Sequence, residues 1–470
     1  MSFIIKNSIS SEAEVTTRTT APSITRRYDV EGSIDRSNVI FLLRNALNNL
    51  SMAVDNLVNP VSKISEEARS HLTFRQRVAI ENSFSLRTVN LKRQLASMRL
   101  QLAQPSDRIF SDLNRIIARL EILRNSYLWS ERTFGLYIDL LHTKGLAGNI
   151  GKILKGYERL AEFTLRLFLS PLGYEIPTVV VYLEQIGDGA AILRHDISLF
   201  DSHRNPCAII KLPQSSLAIP RSSLLHEVGH QLATIVNHKG KNLNREGADL
   251  IYNTVRTAGG SPALANYFRY CHSEIIADQF AVQLTNWLAA ITLYNIYSGS
   301  SGSSLGGTAR IFQIYPRDPH LMGFLRIRCA VESTRQILTR GPWDQLEKAI
   351  DILYPINSAP EHSLRVIRES LPLLPAICKS LSRSKLACFG GNKSFEDMYP
   401  MSQSSLPFMK ELLNNTLSTS FSQTDAMLKN PILTMMAYGT LQMLGGKSLY
   451  WITDEMRRWL IALGEKGEAK

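Results

Sequence analysis

The feature that most constrains this 470-residue chain is His226-Glu227-Val228-Gly229-His230, set in a stretch, Leu224 to Val236, that reads as a helix. Positions four apart lie on one helix face, one turn apart. The two imidazoles therefore meet at one point in space, which is half of a tetrahedral zinc site. Glu227 neighbours that point and has the chemistry of a general base toward a zinc-activated water. A helix of this kind needs a further ligand from another segment, so the fold must bring two distant stretches together.

H-E-x-x-H also occurs by chance, and the third ligand decides its meaning. The extended motif H-E-x-x-H-x-x-G-x-x-H fails here, because position 233 is Ala and position 236 is Val. The segment Cys271-His-Ser-Glu-Ile-Ile-Ala-Asp-Gln-Phe-Ala281 offers a glutamate instead. Glu274 and Asp278 are four apart and share a helix face, while Ile275, Ile276, Phe280 and Leu284 supply the buried remainder. Glu274 is the candidate third ligand. Asp278, one turn on, can accept the free ring N–H of a ligating histidine and fix its tautomer. Two histidines and one glutamate leave a fourth position for water, the open site that catalysis requires.

These residues, with Ser273-Glu274-Ile275-Ile276-Ala277-Asp278, resemble the gluzincin zinc metallopeptidases. Within them the chain is most similar to the HtpX and CAAX-prenyl endopeptidase group, whose glutamate helix carries E-x-x-x-D. A weaker likeness, through Glu274, Ala277, Phe280 and Ala281, is to the ImmA/IrrE group. The resemblance covers residues 176–330. It implies a zincin-like fold, water-mediated peptide hydrolysis and an edge strand that aligns substrate, expected at residues 206–213. Tyr315-Pro-Arg-Asp-Pro-His320, followed by Arg326, is similar to the proline-containing segment downstream of that group's glutamate helix. Tyr315, His320 and Arg326 are accordingly candidates to stabilise a developing oxyanion, or else to support the turn before a helix. His238, at the helix end, and Cys271 and His272, on other faces, are weaker metal or catalytic candidates.

The rest of the chain organises around this centre. Residues 1–36 are rich in Ser, Thr and Arg without apolar periodicity and read as a flexible tail. Residues 37–175 read as a helical domain, with helical patterns over 64–103, 107–127 and 133–169 and breaks at Pro60 and Pro105. Residues 176–345 read as the catalytic domain. In it Thr178–Tyr182, Ala191–Arg194 and Ile197–Phe200 look like strands. Pro206–Pro213 looks like an edge strand flanked by prolines. Loops are expected at 238–247 and at the Ser/Gly run 298–307. Residues 346–470 read as a C-terminal helical region.

Composition bounds the partners. The net charge is +12, and between Arg75 and Arg132 there are 11 Lys+Arg against 5 Asp+Glu. That pattern fits an anionic partner at these helices or an ordinary solvated face, and no nucleic-acid motif distinguishes them. Five scattered cysteines without a C-x-x-C pair fit reduced thiols. No signal peptide is apparent, and the longest apolar run, Trp287–Tyr297, is about half a membrane span. The expected location is cytoplasmic, or outside the cell by a dedicated secretion machine.

The expected fold class is α+β, predominantly α: a zincin-like core with a small sheet, flanked by helical regions. The expected activity is that of a zinc-dependent endopeptidase, with Zn2+ on His226, His230 and Glu274, Glu227 as base, and a protein or peptide substrate. The alternatives are an interaction protein with a little-used zinc site and a protease tethered to nucleic acid.

Overall fold

The structure, a computed structural model, describes residues 36–146, 149–184, 192–193, 205–213, 223–298, 311–314, 319–338, 343–399, 425–444 and 448–466. It is mostly helical with one three-stranded sheet and a two-residue hairpin. The longer helices are α1 (Arg36–Asp55), α2 (Phe74–Leu102), α3 (Leu113–His142), α4 (Ile150–Leu169), α5 (Ser223–Ile235), α6 (Leu243–Thr257), α7 (Pro262–Tyr270) and α8 (His272–Thr285). They continue as α9 (Trp287–Ser298), α10 (Gly323–Leu338), α11 (Trp343–Leu353), α12 (Glu361–Ser370), α13 (Leu374–Arg383), α14 (Pro431–Leu444) and α15 (Leu449–Lys466). The strands are β1 (Val179–Glu184), β2 (Ile192–Leu193), β3 (Ala208–Pro213), β4 (Asn237–His238) and β5 (Lys241–Asn242).

Packing divides the chain into two units, one of Met1–Asn56 with Asn90–Tyr127, the other of Leu57–Val89 with Leu128–Lys470. Among the described residues of the first unit, Leu47, Leu50 and Val54 of α1 are buried, as are Leu91, Leu95 and Met98 of α2 and Ile116 and Leu123 of α3. Three of this unit's basic side chains are engaged locally. Arg99 donates to Ser51 at 2.6 Å, Arg119 to Gln101 at 2.7 Å, and Lys92 pairs with Asp55. In the second unit Arg87 is buried and Arg75 donates to the Ile176 carbonyl at 2.9 Å.

The second unit is built on one apolar core that runs from Ile153 in α4 to Leu463 in α15, so residues on both sides of the expected boundaries at 175 and 345 share it. Its sheet is covered on both faces. Val179, Val181, Ala208 and Ile210 face that core, while Val180, Cys207 and Ile209 face a second one with Val61, Leu72, Ile80 and Tyr137. Strand residues alternate between faces, and a sheet buried on both reads as an unbroken apolar run such as Val179-Val180-Val181.

The strand order is β1-β3-β2, with β3 parallel to β1 and antiparallel to β2. The expected edge strand at 206–213 is therefore the central strand. Its flanking prolines misled because Pro206 precedes β3 and Pro213 is its last residue, so neither interrupts the ladder. The outer edge of β1 is closed by side chains: Gln76 Nε2 donates to the Val179 carbonyl at 2.7 Å, and Val181 N–H donates to Glu158 Oε1 at 2.9 Å. Glu158 also holds Lys144 Nζ at 2.6 Å, both side chains being buried.

Two further expectations change. α3 runs unbroken through 128–132, joining the patterns read separately over 107–127 and 133–169. No residue there forbids a helix, and the break falls after His142, with left-handed Asn149 starting α4. The expected 238–247 loop holds the β4–β5 hairpin, turned at Lys239-Gly240 with both φ positive, and the start of α6. Asn242 caps α6 by accepting from the N–H groups of Asn244 and Arg245. Residues 1–35, 197–200 and 299–307 lie outside the described residues. Among the described residues no helix is long and apolar enough to cross a membrane.

Candidate metal centre

α5 carries His226, Glu227 and His230, and α8 carries Glu274 and Asp278. The two helices cross closely because Gly229 has no side chain. A Cβ there would come within 2.9 Å of the Ala277 Cα and 3.2 Å of the Phe280 Cβ. Leu225, Val228 and Leu232 of α5 and Ile276 and Phe280 of α8 are buried in the main core, so packing turns the polar residues of both helices toward each other.

The polar atoms converge. His226 Nε2 and His230 Nε2 are 3.1 Å apart. Glu274 straddles them, Oε2 standing 3.3 Å from His226 Nε2 and Oε1 3.2 Å from His230 Nε2. A tetrahedral zinc with ligands at about 2.0–2.1 Å holds neighbouring ligand atoms about 3.3 Å apart. The spacing thus fits a zinc ion, and so does the donor set of two imidazoles and a carboxylate. One further observation points the same way: Glu274 Oε2 is buried and accepts no hydrogen bond.

The surroundings orient these groups. His226 Nδ1 lies 2.8 Å from Asp278 Oδ1. Asp278 is held by Arg326 of α10, whose Nε and Nη2 donate to its two oxygens at 2.7 and 2.8 Å. Arg326 Nη1 donates to the Tyr297 hydroxyl at 3.1 Å and lies 3.3 Å from Glu274 Oε2. His230 Nδ1 lies 3.2 Å from Ser273 Oγ.

Electrostatics follow from burial among opposing charges. Burial pushes the Glu227 carboxyl up to about 8, with Glu274 and Asp278 adding to the rise and His226 and Arg326 opposing it. Burial works against a charged Glu274, yet His230, His226 and Arg326 hold it well below the usual carboxylate range. Burial likewise opposes a protonated His226, but Asp278 and Glu274 outweigh it and raise that ring to about 10. For His230 burial prevails and lowers the value.

Comparison with family models, curated proteins and solved structures gives no match.

The structure brings His226, His230, Glu274 and Asp278 together. His320 stands near them, Nε2 3.6 Å from Glu274 Oε2, with half its side chain exposed. Arg326 is spent on the two carboxylates and Tyr297, so its guanidinium supports them and does not face outward as an oxyanion donor would. Tyr315 lies outside the described residues. His238 is exposed in the β4–β5 hairpin, and His272 Nδ1 lies 2.8 Å from the Arg269 carbonyl. Cys271 is buried at the start of α8. The sequence reading missed Ser273 and Tyr297. Ser273 adjoins Glu274 and could have been suspected, whereas Tyr297 ends an apolar helix and carries no local signal.

Proposed function

We propose that this protein is a zinc-dependent endopeptidase. The observation that carries the reading is the convergence of His226, His230 and Glu274 at the spacing of a tetrahedral site, with buried Glu227 beside it on the same helix. His226, His230 and Glu274 would hold the zinc ion. When bound there, zinc would lower the pKa of a water and polarise a carbonyl oxygen.

The chain's own residues do the rest. Glu227 accepts the proton of the attacking water and returns it to the nitrogen of the departing amine. Asp278 and Arg326 fix His226 and Glu274, so the ligand set does not reorganise during the reaction. His320, half exposed beside Glu274, is placed to donate to the substrate carbonyl. With β3 central and the outer edge of β1 closed by Gln76 and Glu158, an extended peptide would pair along the edge at β2.

The test is hydrolysis of a protein mixture by the wild type and by Glu227→Gln. The amide cannot accept the water's proton, so turnover should fall on the order of 10²–10⁴-fold with zinc content and fold retained. Equal turnover by the two proteins would contradict the assignment.

A further inference from the structure

A cavity behind the metal centre holds two thiols that the ligand set does not use. It lies between α8, α10 and α13, with Asp278, Gln279, Arg326, Ser333, Cys329 and Cys378 in its lining. It has room for about one water-sized molecule. Cys329 of α10 and Cys378 of α13 are both buried. The Cys378 thiol donates to the Cys329 carbonyl oxygen, 3.5 Å from its sulfur, and the two thiols are hydrogen-bonded to each other. Other cysteines have different surroundings: Cys207 lies against Tyr137, and Cys388 against Glu246.

The pair stands next to the support of the metal centre. Cys329 follows Arg326 by three residues on α10, so the two share a helix face about one turn apart. Arg326 is the cation that holds both oxygens of Asp278 and approaches Glu274. Farther along α10, Gln336 Nε2 donates to the Pro375 carbonyl, just inside the start of α13, at 2.9 Å. The two helices are thus tied on the side of the thiols away from Arg326. A disulfide holds its sulfurs at about 2.05 Å, well inside the separation of hydrogen-bonded thiols. Closing that bond draws α10 toward α13 at Cys329, with the Gln336 tie as pivot and the Arg326 end as the part that moves. The zinc ligands carry no sulfur, so oxidation of this pair reaches them only through packing.

We infer that Cys329 and Cys378 are an oxidation site that a hydroperoxide closes to a disulfide and, resting on the zinc reading above, that closure weakens zinc binding by displacing Arg326 from Asp278 and Glu274. In the first step one thiol, as its thiolate, attacks a peroxide oxygen. An S–O bond forms, the O–O bond breaks, and the departing hydroxide takes up the thiol's proton as water. In the second step the other thiol attacks the sulfenic acid sulfur. The S–S bond forms, the S–O bond breaks, and the hydroxyl leaves with the second proton as water. The two sulfurs together give up two electrons, and the peroxide is reduced. Hydrogen bonding to Cys378 and burial hold the Cys329 thiol well above the usual thiol range, which slows the reaction and keeps the pair reduced against mild oxidants. The oxidant suited to this cavity is small and neutral, as hydrogen peroxide is.

The experiment treats the full-length wild type, Cys378→Ala and Cys329→Ala with hydrogen peroxide. Peptide mass mapping reads the cross-link, and competition with a chelator reads zinc affinity before and after. The wild type should lose the mass of two hydrogens, yield a peptide joining Cys329 to Cys378, and bind zinc about tenfold or more weakly. Dithiothreitol should reverse both changes. Each alanine variant should form no such cross-link and keep its untreated zinc affinity through the same treatment; either one suffices if the other does not fold. Absence of the Cys329–Cys378 peptide, or sulfinic acid at either position in its place, would overturn the inference. So would a cross-linked wild type with undiminished zinc affinity, or an equal peroxide effect in the alanine variants. An untreated wild type that binds no zinc would sink the zinc reading and the link to it, and the mass map would still show separately whether the disulfide forms.

Discussion

Two groups of buried charges in the second unit make an instructive pair. Lys144 and Glu158 form a closed couple, 2.6 Å apart, with Glu158 also accepting from Val181 N–H. One cation meets one anion, and the couple ties the turn after α3 to β1. The group at α5 and α8 differs in kind. Two ring nitrogens and a carboxylate face one another, and the cation present, Arg326, is bound from behind to Asp278. Glu158 Oε2 and Glu274 Oε2 both lack hydrogen bonds, so an orphaned oxygen alone does not mark a metal site. What separates the groups is that at the second one three ligand-type residues converge within 4.8 Å. A buried charge is a structural matter when its partner closes it, and a functional one when several acceptors share a point that no protein cation occupies.

The comparison breaks most visibly at Lys144. Lys144→Met should leave Glu158 buried and unpaired and lower unfolding stability by about 3–5 kcal/mol. Zinc content should be unchanged in whatever remains folded. Urea unfolding with metal analysis checks both; a variant as stable as wild type would show that Glu158 is not held by this lysine.

At the other group the expected effect is on metal. Asp278→Ala removes the carboxylate beside His226 Nδ1 and should weaken zinc binding roughly 10–100-fold, as read by competition with a chelator. Unchanged affinity would mean that Asp278 serves Arg326 and not the ligand. A smaller effect should come from the helix crossing. Gly229→Ala forces a methyl against the Ala277 backbone and should lower stability by about 1–3 kcal/mol. Zinc binding should loosen in parallel, because the same approach sets the distance between ligands; calorimetric unfolding with and without added zinc separates the two.

The sequence made local geometry legible and left pairing dark. His226, His230, Glu274 and Asp278 were readable because each lies on a helix whose periodicity puts both polar residues on one face. The α+β class with a small sheet was readable from β-branched runs. The order of that sheet was not, since β3 pairs with strands before it in the chain on both sides, and flanking prolines carry no information about neighbours. The same holds for Arg326. It lies 48 residues from Asp278, and only tertiary packing could assign it to the two carboxylates. Tyr297 was invisible for a related reason: only packing brings its hydroxyl to Arg326, 29 residues away in the chain.

The most direct test of the account is metal analysis of the purified protein alongside His226→Ala, His230→Ala and Glu274→Ala. The account expects about one zinc per chain in the wild type and loss of that zinc in each of the three variants, because the described residues form a single three-ligand set. Full zinc occupancy in His230→Ala would contradict it.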